Sequence, residues 1–486
     1  MTFTFLHRTK WFFIYSSIFS FALFISSGQG KKPIQLSLNE AIFLAVRSNP
    51  NVRSAQLSYI AQKFNLYVQE WQFYPHYAFQ ASAAFSNTNK DEHHGEHNYN
   101  VQPTVSLLTP LGTQMTLAST NPHSRHYNPG LSLQIVQPLM RGFGRAVVET
   151  ALNNAKDSEV ISCLNIEGTL RSTVSSVIEA YLNVVSAERT IINDEDAVRR
   201  TEQSVAQTKL FIKAGRKAGN ELVTVEANAA SAKAQLENDK NNRDQARYAL
   251  LSAIGIDPNT PVIFSSINTK NLIHKYQLPS LAETKRLALE NDIQYQMDQI
   301  TLHGSTKRSL LVEEDNARWQ LNLTANAATG SGSSGGRYAG INSLYNGVNQ
   351  AQSVGFSLQI PIDDQLSKQA VVNAKIALKQ AELALQQEKW NKETSAINGW
   401  NSVLSAERAL RFAEDAENLQ EKTYSVSFQK YLHGLIDSLE LQTAQLQLTQ
   451  AKQTSLSAQI NYVKALVNLD LLIGHTLKTW DVKVRL

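Results

Sequence analysis

The stretch HHGEH (residues 93–97) holds side chains that could bind a metal ion. Imidazoles and carboxylates are ligand types for metals such as zinc. The stretch lies in a polar tract between two predicted strands, however, and it lacks the helical i, i+4 frame that aims two side chains at one ion. We therefore interpret it as a solvent-facing loop and predict no metal site.

Two other features suggest chemistry that their surroundings do not support. TGSGSSGG (residues 329–336) lacks the Gly-Lys-Ser/Thr ending and the following helix of a phosphate-binding loop, so we interpret it as an external loop. Cys163 is the single cysteine, which excludes a disulfide within the chain, and no neighbouring His or Asp supports a nucleophile there. No Ser-His-Asp, paired-carboxylate or Cys-His constellation stands out. We predict a protein that is not an enzyme and that binds no cofactor.

The overall charge argues against nucleic acid as a partner. The net charge is only +4 over 486 residues, and charged residues make up 18% of the chain. Soluble globular domains typically contain about 25%. No basic stripe with interleaved aromatic residues is visible, so we expect no nucleic acid to bind.

The N-terminus has the layout of a secretory signal peptide, which we place at residues 1–30. His7, Arg8 and Lys10 form a basic segment, Trp11 to Ile25 are apolar, and SSGQG follows with small residues. The alternative is an uncleaved membrane anchor, but the apolar run falls short of the roughly 20 residues that span a bilayer. No later stretch is apolar enough to predict a spanning helix, so a later membrane crossing would need strands.

The chain contains an internal repeat. Residues 178–255 align with residues 397–474 without a gap, and SAER occurs at the same place in both, at 186–189 and 405–408. Upstream, Ser37 with Glu40 and Ser280 with Glu283 have the spacing of a capping box at a helix start. We therefore predict two copies of one unit, at residues 31–260 and 261–476, followed by a tail at 477–486.

Each predicted unit runs from two helices through a strand pair into a long helical hairpin. Alternation of period two predicts strands within about 76–138 and within about 318–361. In the first unit 76–85 and 131–138 form the pair, and whether 101–120 adds another hairpin stays open. Helical hairpins are predicted at about 145–254, with the tip near 215–219, and at about 366–474, with the tip near 433–438.

One local pattern predicts a packed face on a long helix, and another predicts where the strands end. Apolar residues at steps of four and three predict a packed helix, as in a coiled coil; they are Leu170, Val174, Val177, Tyr181 and Val184. Pro138 and Pro361 cannot donate a ladder hydrogen bond, so each ends its strand. Gly142 and Gly144 allow the backbone to turn from strand to helix. The second unit reads PIDDQLSKQ and lacks these glycines, which leaves the shape of its turn open.

With these elements in this order, the chain resembles the outer-membrane efflux protein family typified by TolC. QPLMRGFGR (residues 137–145) is similar to the family's strand-to-helix junction, and LNEAIFLAVRSNPNVRSA (residues 38–55) is similar to its opening helix. The segments 211–255 and 428–474 are similar to its two returning hairpin helices. The likeness covers nearly the whole chain after the predicted signal peptide.

The resemblance implies a homotrimer in the outer membrane of a Gram-negative bacterium. Four strands per chain cannot close around a lumen, whereas three chains would give a twelve-stranded barrel in contact with lipid. The long helices would continue that barrel as a periplasmic tunnel. The implied partners are a periplasmic adaptor and an inner-membrane transporter, and the chain itself would be a passive exit duct.

The resemblance also implies an acidic ring that narrows the periplasmic entrance, just after the tip glycines Gly215 and Gly434. Aligned on Gly434, the family's inner acidic position falls on Glu440, and its next acidic position falls on the neutral Thr443. Asp437 adds a nearby carboxylate. Glu221 occupies the equivalent place in the first unit. Three close carboxylates repel one another and favour the entry of cations.

One alternative function stays open at this point. A periplasmic coiled-coil adaptor or tether, anchored by an uncleaved N-terminal helix, would also contain long helices. The tether predicts a monomer or dimer in the inner membrane, and the duct predicts a trimer in the outer membrane. The sequence does not distinguish drugs, metals and proteins as cargo.

Overall fold

The structure is a computed structural model, and the residues that it describes are 34–86, 96–123, 129–265, 272–273, 275–276, 278–330, 344, 347 and 350–483. The predicted signal peptide lies outside the described residues. So do His93, His94 and Gly95 of HHGEH, whose last two residues begin β3, and the glycine-rich tract beyond Gly330.

The chain is mainly helical with a smaller β part, as the sequence predicts. In chain order its elements are β1 (Ile34–Leu36), α1 (Leu38–Ser48), α2 (Pro50–Trp71), β2 (His76–Ser86), β3 (Glu96–Leu108), β4 (Gln114–His123), β5 (Gly130–Pro138), α3 (Arg145–Val148), α4 (Thr150–Lys213), α5 (Asn220–Ile254), β6 (Val262–Phe264), α6 (Leu281–Glu290), α7 (Ile293–Thr301), a π-helical turn (Leu302–Thr306), α8 (Lys307–Asn316), β7 (Gln320–Gly330), β8 (Ala351–Gln359), α9 (Gln365–Leu432), α10 (Ser438–Leu472) and α11 (Thr476–Thr479).

Four long helices form a row. Helix α4 has 64 residues and α9 has 68, so each is about 100 Å long at 1.5 Å per residue. Helices α5 and α10 run back along them for 35 residues each. The main contacts join α5 to α4, α4 to α10 and α10 to α9. The order across the row is therefore α5, α4, α10, α9.

The two short helices α1 and α6 are capped at their N-termini by the side chains that the sequence predicts there. The Ser37 hydroxyl accepts from the Glu40 amide, and the Glu40 carboxylate accepts from the Ser37 amide at 2.8 Å, which completes a capping box before α1. Before α6, the Ser280 hydroxyl accepts from the Glu283 amide at 3.3 Å. Each cap satisfies amides that have no partner within the helix.

The apolar core surrounds the first half of α4, where α5 and α10 come to their C-terminal ends. It joins α1, α4, α5 and α10 around Val177, Ile178, Leu250 and Ile460, which are at most 3% exposed. The series from Leu170 to Val184 predicted as a packed stripe is buried throughout, so that prediction is confirmed. Core burial of this kind supplies most of the stability of a long helix, because helix propensity alone is weak.

Tyr181 joins the two halves of the chain inside this core. Strands β1 and β6 pair in parallel there, with Ile34 opposite Val262. The fully buried Tyr181 hydroxyl lies 3.0 Å from the Leu36 carbonyl oxygen and 2.8 Å from that of Ser265. Burial raises the pKa of Tyr181 to about 12, so the hydroxyl keeps its proton at neutral pH. The sequence does not predict these two short strands.

The second sheet has six strands in the order β2, β3, β4, β5, β7, β8, and every neighbouring pair is antiparallel. The prediction of four strands per chain is therefore wrong, because the described residues form six in this sheet. Strand β2 pairs with β3 and not with β5. The reason is the hairpin of β3 and β4, which is closed by a turn at Thr109–Thr113 with Gly112 at φ 93°.

The first strand-to-helix junction is built on glycine. Strand β5 ends at Pro138, and the backbone then turns through Gly142 at φ 80° and Gly144 at φ 101°. The Gly142 amide donates to the carboxylate of Asp315 at 2.7 Å, and Asp315 is only 3% exposed. A carboxylate at the end of α8 therefore fixes the turn after β5, a contact between distant segments that sequence spacing does not reveal.

The second junction turns without glycine. After β8 the chain passes Pro361 and an exposed Ile362 to Asp364, whose carboxylate accepts from the Ser367 amide at 2.9 Å and caps α9. Asp364 has φ −98°, and the only described residue other than glycine with positive φ is Asp481. The second long helix thus begins at an N-cap aspartate, whereas the first long helix follows two glycines with positive φ.

No helix in the part of the chain that the structure describes combines the length and the apolar character needed to cross a membrane.

We predict that Gly255→Ala lowers the free energy of unfolding by about 1–3 kcal/mol. Gly255 ends α5 at φ 83°, and an added Cβ would lie 2.7 Å from the Ser48 carbonyl oxygen. The control is Gly168→Ala, inside α4, where the nearest atom would be an Ile293 methyl group at 3.5 Å. Alanine there should leave stability unchanged or raise it by about 0.5–1 kcal/mol. Denaturant unfolding in detergent, followed by circular dichroism, measures both variants, and equal midpoints would contradict this packing.

Candidate functional site at the hairpin tips

Both long hairpins reverse at a left-handed glycine. Gly215 has φ 70° and Gly434 has φ 73°. After the first tip the Arg216 amide donates to the Phe211 carbonyl at 2.8 Å, and after the second the Leu435 amide donates to Lys430 at 2.9 Å. These bonds are the six-to-one contacts of a Schellman motif, which needs a residue that tolerates positive φ. The two tips therefore have the same local structure.

A hydrogen-bonded bridge joins the first tip to the second. The Lys217 ammonium donates to the Glu221 carboxylate at 2.8 Å. The same oxygen of Glu221 accepts from the Ser438 hydroxyl at 2.7 Å. Ser438 is the first residue of α10, while Lys217 and Glu221 flank the start of α5. Glu221 thus links the two hairpins through charge-assisted bonds, which are stronger than neutral ones.

Beneath this bridge an aromatic residue anchors the contact. Tyr431, near the end of α9, is fully buried, and its hydroxyl lies 2.7 Å from that of Thr208 in α4. The Lys217 ammonium lies 4.3 Å from the centre of the Tyr431 ring, and Phe211 meets that ring edge-on at 5.6 Å. A cation–π contact of this geometry is stronger when the cation is shielded from water. The Lys217 side chain is accordingly only 9% exposed.

The protonation state of Glu221 decides whether the bridge holds. Burial opposes its charge, but the hydrogen bonds from Lys217 and Ser438 outweigh that effect and lower the pKa of Glu221 from its ordinary 4.5. A lowered carboxylate pKa contributes stability that is fully present above the ordinary value. That stability is lost as the pH falls through the pKa of the folded state. The bridge is therefore intact at neutral pH.

The other two predicted carboxylates have different surroundings. Asp437 is the N-cap of α10, and its carboxylate accepts from the Glu440 amide at 2.8 Å. Glu440 is exposed in the first turn of that helix. Among the described residues, no hydrogen bond or ion pair engages the Glu440 carboxylate. Of the three carboxylates, one bridges the hairpins, one caps a helix, and one projects from the surface near the tip.

The structure adds residues that sequence reasoning missed. Lys217, Tyr431, Thr208 and Ser438 surround Glu221, and none of them stands out in the sequence. The spacing of Lys217 and Glu221, four residues apart, is a weak signal of an ion pair. Nothing in the sequence signals the contact between Thr208 and Tyr431, because they are 223 positions apart.

The residues considered first for chemistry form no site in the described part of the chain. No group of three His, Cys, Asp or Glu side chains there could hold a metal ion. His97 is exposed, with its ring 4.9 Å from that of Phe85. Burial, with the charges of Glu159 and Glu167, raises the pKa of the Cys163 thiol, so less of it is thiolate at neutral pH.

Comparison with known families identifies this architecture. The profile described as "Outer membrane efflux protein" matches residues 42–256 and 314–475, which is most of the chain. The chain belongs to the outer membrane efflux protein family. No curated protein matches it.

Solved channels share its fold. The open state of the Neisseria gonorrhoeae MtrE outer membrane channel is similar with a TM-score of 0.70 at 17% identity, covering 94% of this chain and 95% of that one. The Vibrio cholerae outer membrane protein VceC gives 0.68 at 13% identity, with 90% and 95% covered. The Campylobacter jejuni CmeC outer membrane channel gives 0.64 at 15% identity, with 90% and 85% covered.

Membership in the outer membrane efflux protein family decides between the two functions left open by the sequence. The chain is an outer-membrane exit duct, with its helical part on the periplasmic side, and the tether is not favoured. The family is one of channels and not of enzymes. The site to be explained is therefore the periplasmic end of a conduit.

We predict that Glu221→Gln weakens the contact between the tips by about 1–3 kcal/mol. The substitution leaves Lys217 charged and mostly buried without its carboxylate partner. Hydrogen exchange measured by mass spectrometry should become faster in peptides that cover both tips, and lowering the pH of the unmodified protein below 4.5 should act in the same direction.

The matched control is Glu226→Gln, one turn further along α5. Glu226 pairs with Lys209 at 2.9 Å, but the two side chains are 48% and 51% exposed. Exposed pairs contribute only about 0–1 kcal/mol, so exchange at the tips should stay unchanged. If both variants exchanged equally at the tips, Glu221 would not be the residue that joins the hairpins.

Proposed function

We propose that three copies of this chain form a passive duct whose periplasmic entrance is narrowed at the hairpin tips by Glu440. The observation that carries the proposal is the contrast among the three tip carboxylates. Lys217 compensates Glu221, and Asp437 caps α10, whereas Glu440 is exposed and unpaired among the described residues. In a trimer, three such carboxylates facing one axis would form a negative ring.

A ring of this kind would favour cations. Its uncompensated charges repel one another and attract positive ions, as in other pores lined by carboxylates. Asp437 and Glu221 contribute to the ring indirectly. Asp437 fixes the start of the helix that carries Glu440, and Glu221 holds that helix against the first hairpin through Ser438. The gate thus consists of one exposed carboxylate and two residues that position it.

The chain that forms this duct is, in our proposal, a duplicated unit at residues 31–260 and 261–476. A contact that recurs in both halves supports the duplication. The Asn49 amide group donates to the Ala253 carbonyl at 2.7 Å, and that of Asn291 donates to Ile473 at 2.9 Å. Each asparagine follows a short capped helix, and each contact adjoins a left-handed glycine at the end of a returning helix, at Gly255 and Gly474.

The proposed partners follow from the place of the duct. Its sheet would lie in outer-membrane lipid, and its tips would meet a periplasmic adaptor and an inner-membrane transporter. The transporter would supply the energy, since the duct is passive. Membership in the efflux family supports this arrangement. Its small net charge of +4 gives no reason to add nucleic acid to these partners.

Fractionation with chemical cross-linking tests the assembly. We predict that the full-length protein, expressed in a Gram-negative host, sediments with the outer membrane. Treatment with an amine-reactive cross-linker should give a ladder that ends at three chains. A monomer or dimer in the inner-membrane fraction would contradict the duct and support the tether.

Planar-bilayer recordings test the gate. One unit charge about 4 Å from an ion in water contributes about 1 kcal/mol, which corresponds to about fivefold in local ion concentration. The same charge repels anions by a similar factor, so we predict that Glu440→Ala lowers the permeability ratio of cations to anions by about fivefold or more. Glu440→Asp keeps the charge and should keep the selectivity. Unchanged conductance and selectivity in Glu440→Ala would remove Glu440 from the gate.

A further inference from the structure

All six strands of the larger sheet have one apolar and one polar face. A row of paired residues along the sheet is apolar from one edge almost to the other: Tyr77, Val105, Leu117, Leu133 and Ala327. The next row is polar on every strand: His76, Ser106, Thr116, Gln134, Asn326 and Ser353. Strands β3 and β4 follow the alternation of the other four. The added hairpin therefore has the same lipid-facing and lumen-facing sides as its neighbours.

The register gives the tilt of the strands. The polar row starts at His76, the first residue of β2, and ends at Ser353, six residues before the end of β8. A rise of six residues is about 20 Å, and five steps between strands are about 24 Å. Because the row is perpendicular to the strands, strands whose ends lie level are tilted by about 40° from the axis of the barrel they would form, within the range of about 35–45° found in closed barrels.

The width of the sheet matches the width of the helical row below it. At this tilt and a strand spacing of about 4.8 Å, six strands cover about 38 Å of a barrel wall, and four would cover about 25 Å. Directly below the sheet the row consists of α2, α4, the segment from α7 to α8, and α9. Four helices side by side, 8–10 Å apart, cover about 32–40 Å. Six strands and four helices per chain therefore fit one cylinder without a step between them.

The two edges of the sheet are open within one chain. Strands β2 and β8 each have a single partner in the order of the sheet. Unpaired backbone groups are not tolerated in lipid, so the edges need partners of strand form. Because the sheet has six antiparallel strands, β8 of one copy runs opposite to β2 of the next. A second copy of the chain supplies the missing antiparallel neighbour at each edge.

We propose that β8 pairs with β2 of a second copy, and that three copies of the six-stranded sheet close an eighteen-stranded barrel. The inference rests on the trimer proposed above. With about 40° of tilt the barrel is about 36 Å across its backbone, against about 24 Å for twelve strands. The added hairpin thus widens the outer-membrane exit relative to a barrel of four strands per chain.

The slope of the polar row also predicts the register of the seam. Between β2 and β8 the polar row rises by six residues relative to the strand ends over five steps, slightly more than one residue for each step. The residue that continues the row must also face the same side of the sheet, so only every second residue of β2 is possible. The row from Ser353 therefore continues to Ser82 or Ala84 of the neighbouring copy. Within one chain Ser82 and Ser353 lie on opposite edges of the sheet, about 30 Å apart across it, too far for a disulfide.

Paired cysteines test the seam. In full-length protein with Cys163→Ser, we predict that Ser353→Cys combined with either Ser82→Cys or Ala84→Cys gives disulfide-linked dimers and trimers on mild oxidation in the outer membrane. The control is Ser353→Cys with Ala83→Cys, because Ala83 faces the opposite side of the sheet from its neighbours and should cross-link weakly. Trimers that survive denaturation without reductant, and dissociate with it, support the seam.

A second pair of cysteines tests the number of strands in the barrel separately from the number of chains. If β2 and β3 lay outside the wall, β8 would meet β4 of the neighbouring copy, and Ser353→Cys would cross-link to Thr120→Cys instead. That result overturns the eighteen strands and leaves the trimer intact. A seam that cross-links but gives a ladder ending at two chains overturns both. If the amine-reactive reagent gives trimers and none of the cysteine pairs cross-links, the seam is wrong and the trimer stands.

Discussion

The buried contact at Tyr181 is the constraint on which the rest of the structure depends. It holds β1 and β6 together, and with them the beginnings of the two halves of the chain, under the apolar layer of α1, α4, α5 and α10. The Tyr181 side chain can be fully buried because its hydroxyl can hydrogen-bond to a backbone carbonyl group, and two such groups lie within reach. Helices α4, α5 and α10 all pass through or end in this layer, and the two hairpins meet again at their tips through Glu221 and Ser438.

The contacts change character along the long helices. Tyr181 and Thr208 are 27 positions apart in α4, which is about 40 Å of helix. At the first the contacts are mainly apolar; at the second they are hydrogen bonds and a cation held against an aromatic ring. Separating apolar groups exposes them to water, whereas water can replace much of a polar contact. Movement of the hairpins should therefore be largest at the tips and smallest at the core, which agrees with the gate that we propose at the tips.

How much could be predicted from the sequence depends on how local each feature is. The buried stripe from Leu170 to Val184 follows from spacing within one helix, and the burial of those side chains confirms it. The strand count was wrong because the alternation within 101–120 left an extra hairpin open, and β3 and β4 form that hairpin. Asp315 at the first junction and Tyr431 at the tips could not be found, because their partners are more than a hundred positions away. The three tip carboxylates were predicted from the resemblance to the family, and only their hydrogen bonds separate the two that are engaged from Glu440.

The even number of strands in the larger sheet affects what can determine the number of chains in an assembly. A chain that enters the sheet upward at β2 and leaves it downward at β8 offers the same antiparallel joint to any neighbour. Rings of two, three or four copies would all satisfy the backbone equally well, so the sheet carries no information about stoichiometry. That information must come from curvature, and the row of α5, α4, α10 and α9 is the part stiff enough to set it. In the assembly that we propose, the angle at which these helices pack in the periplasm, and not the membrane, would decide how many chains surround the pore.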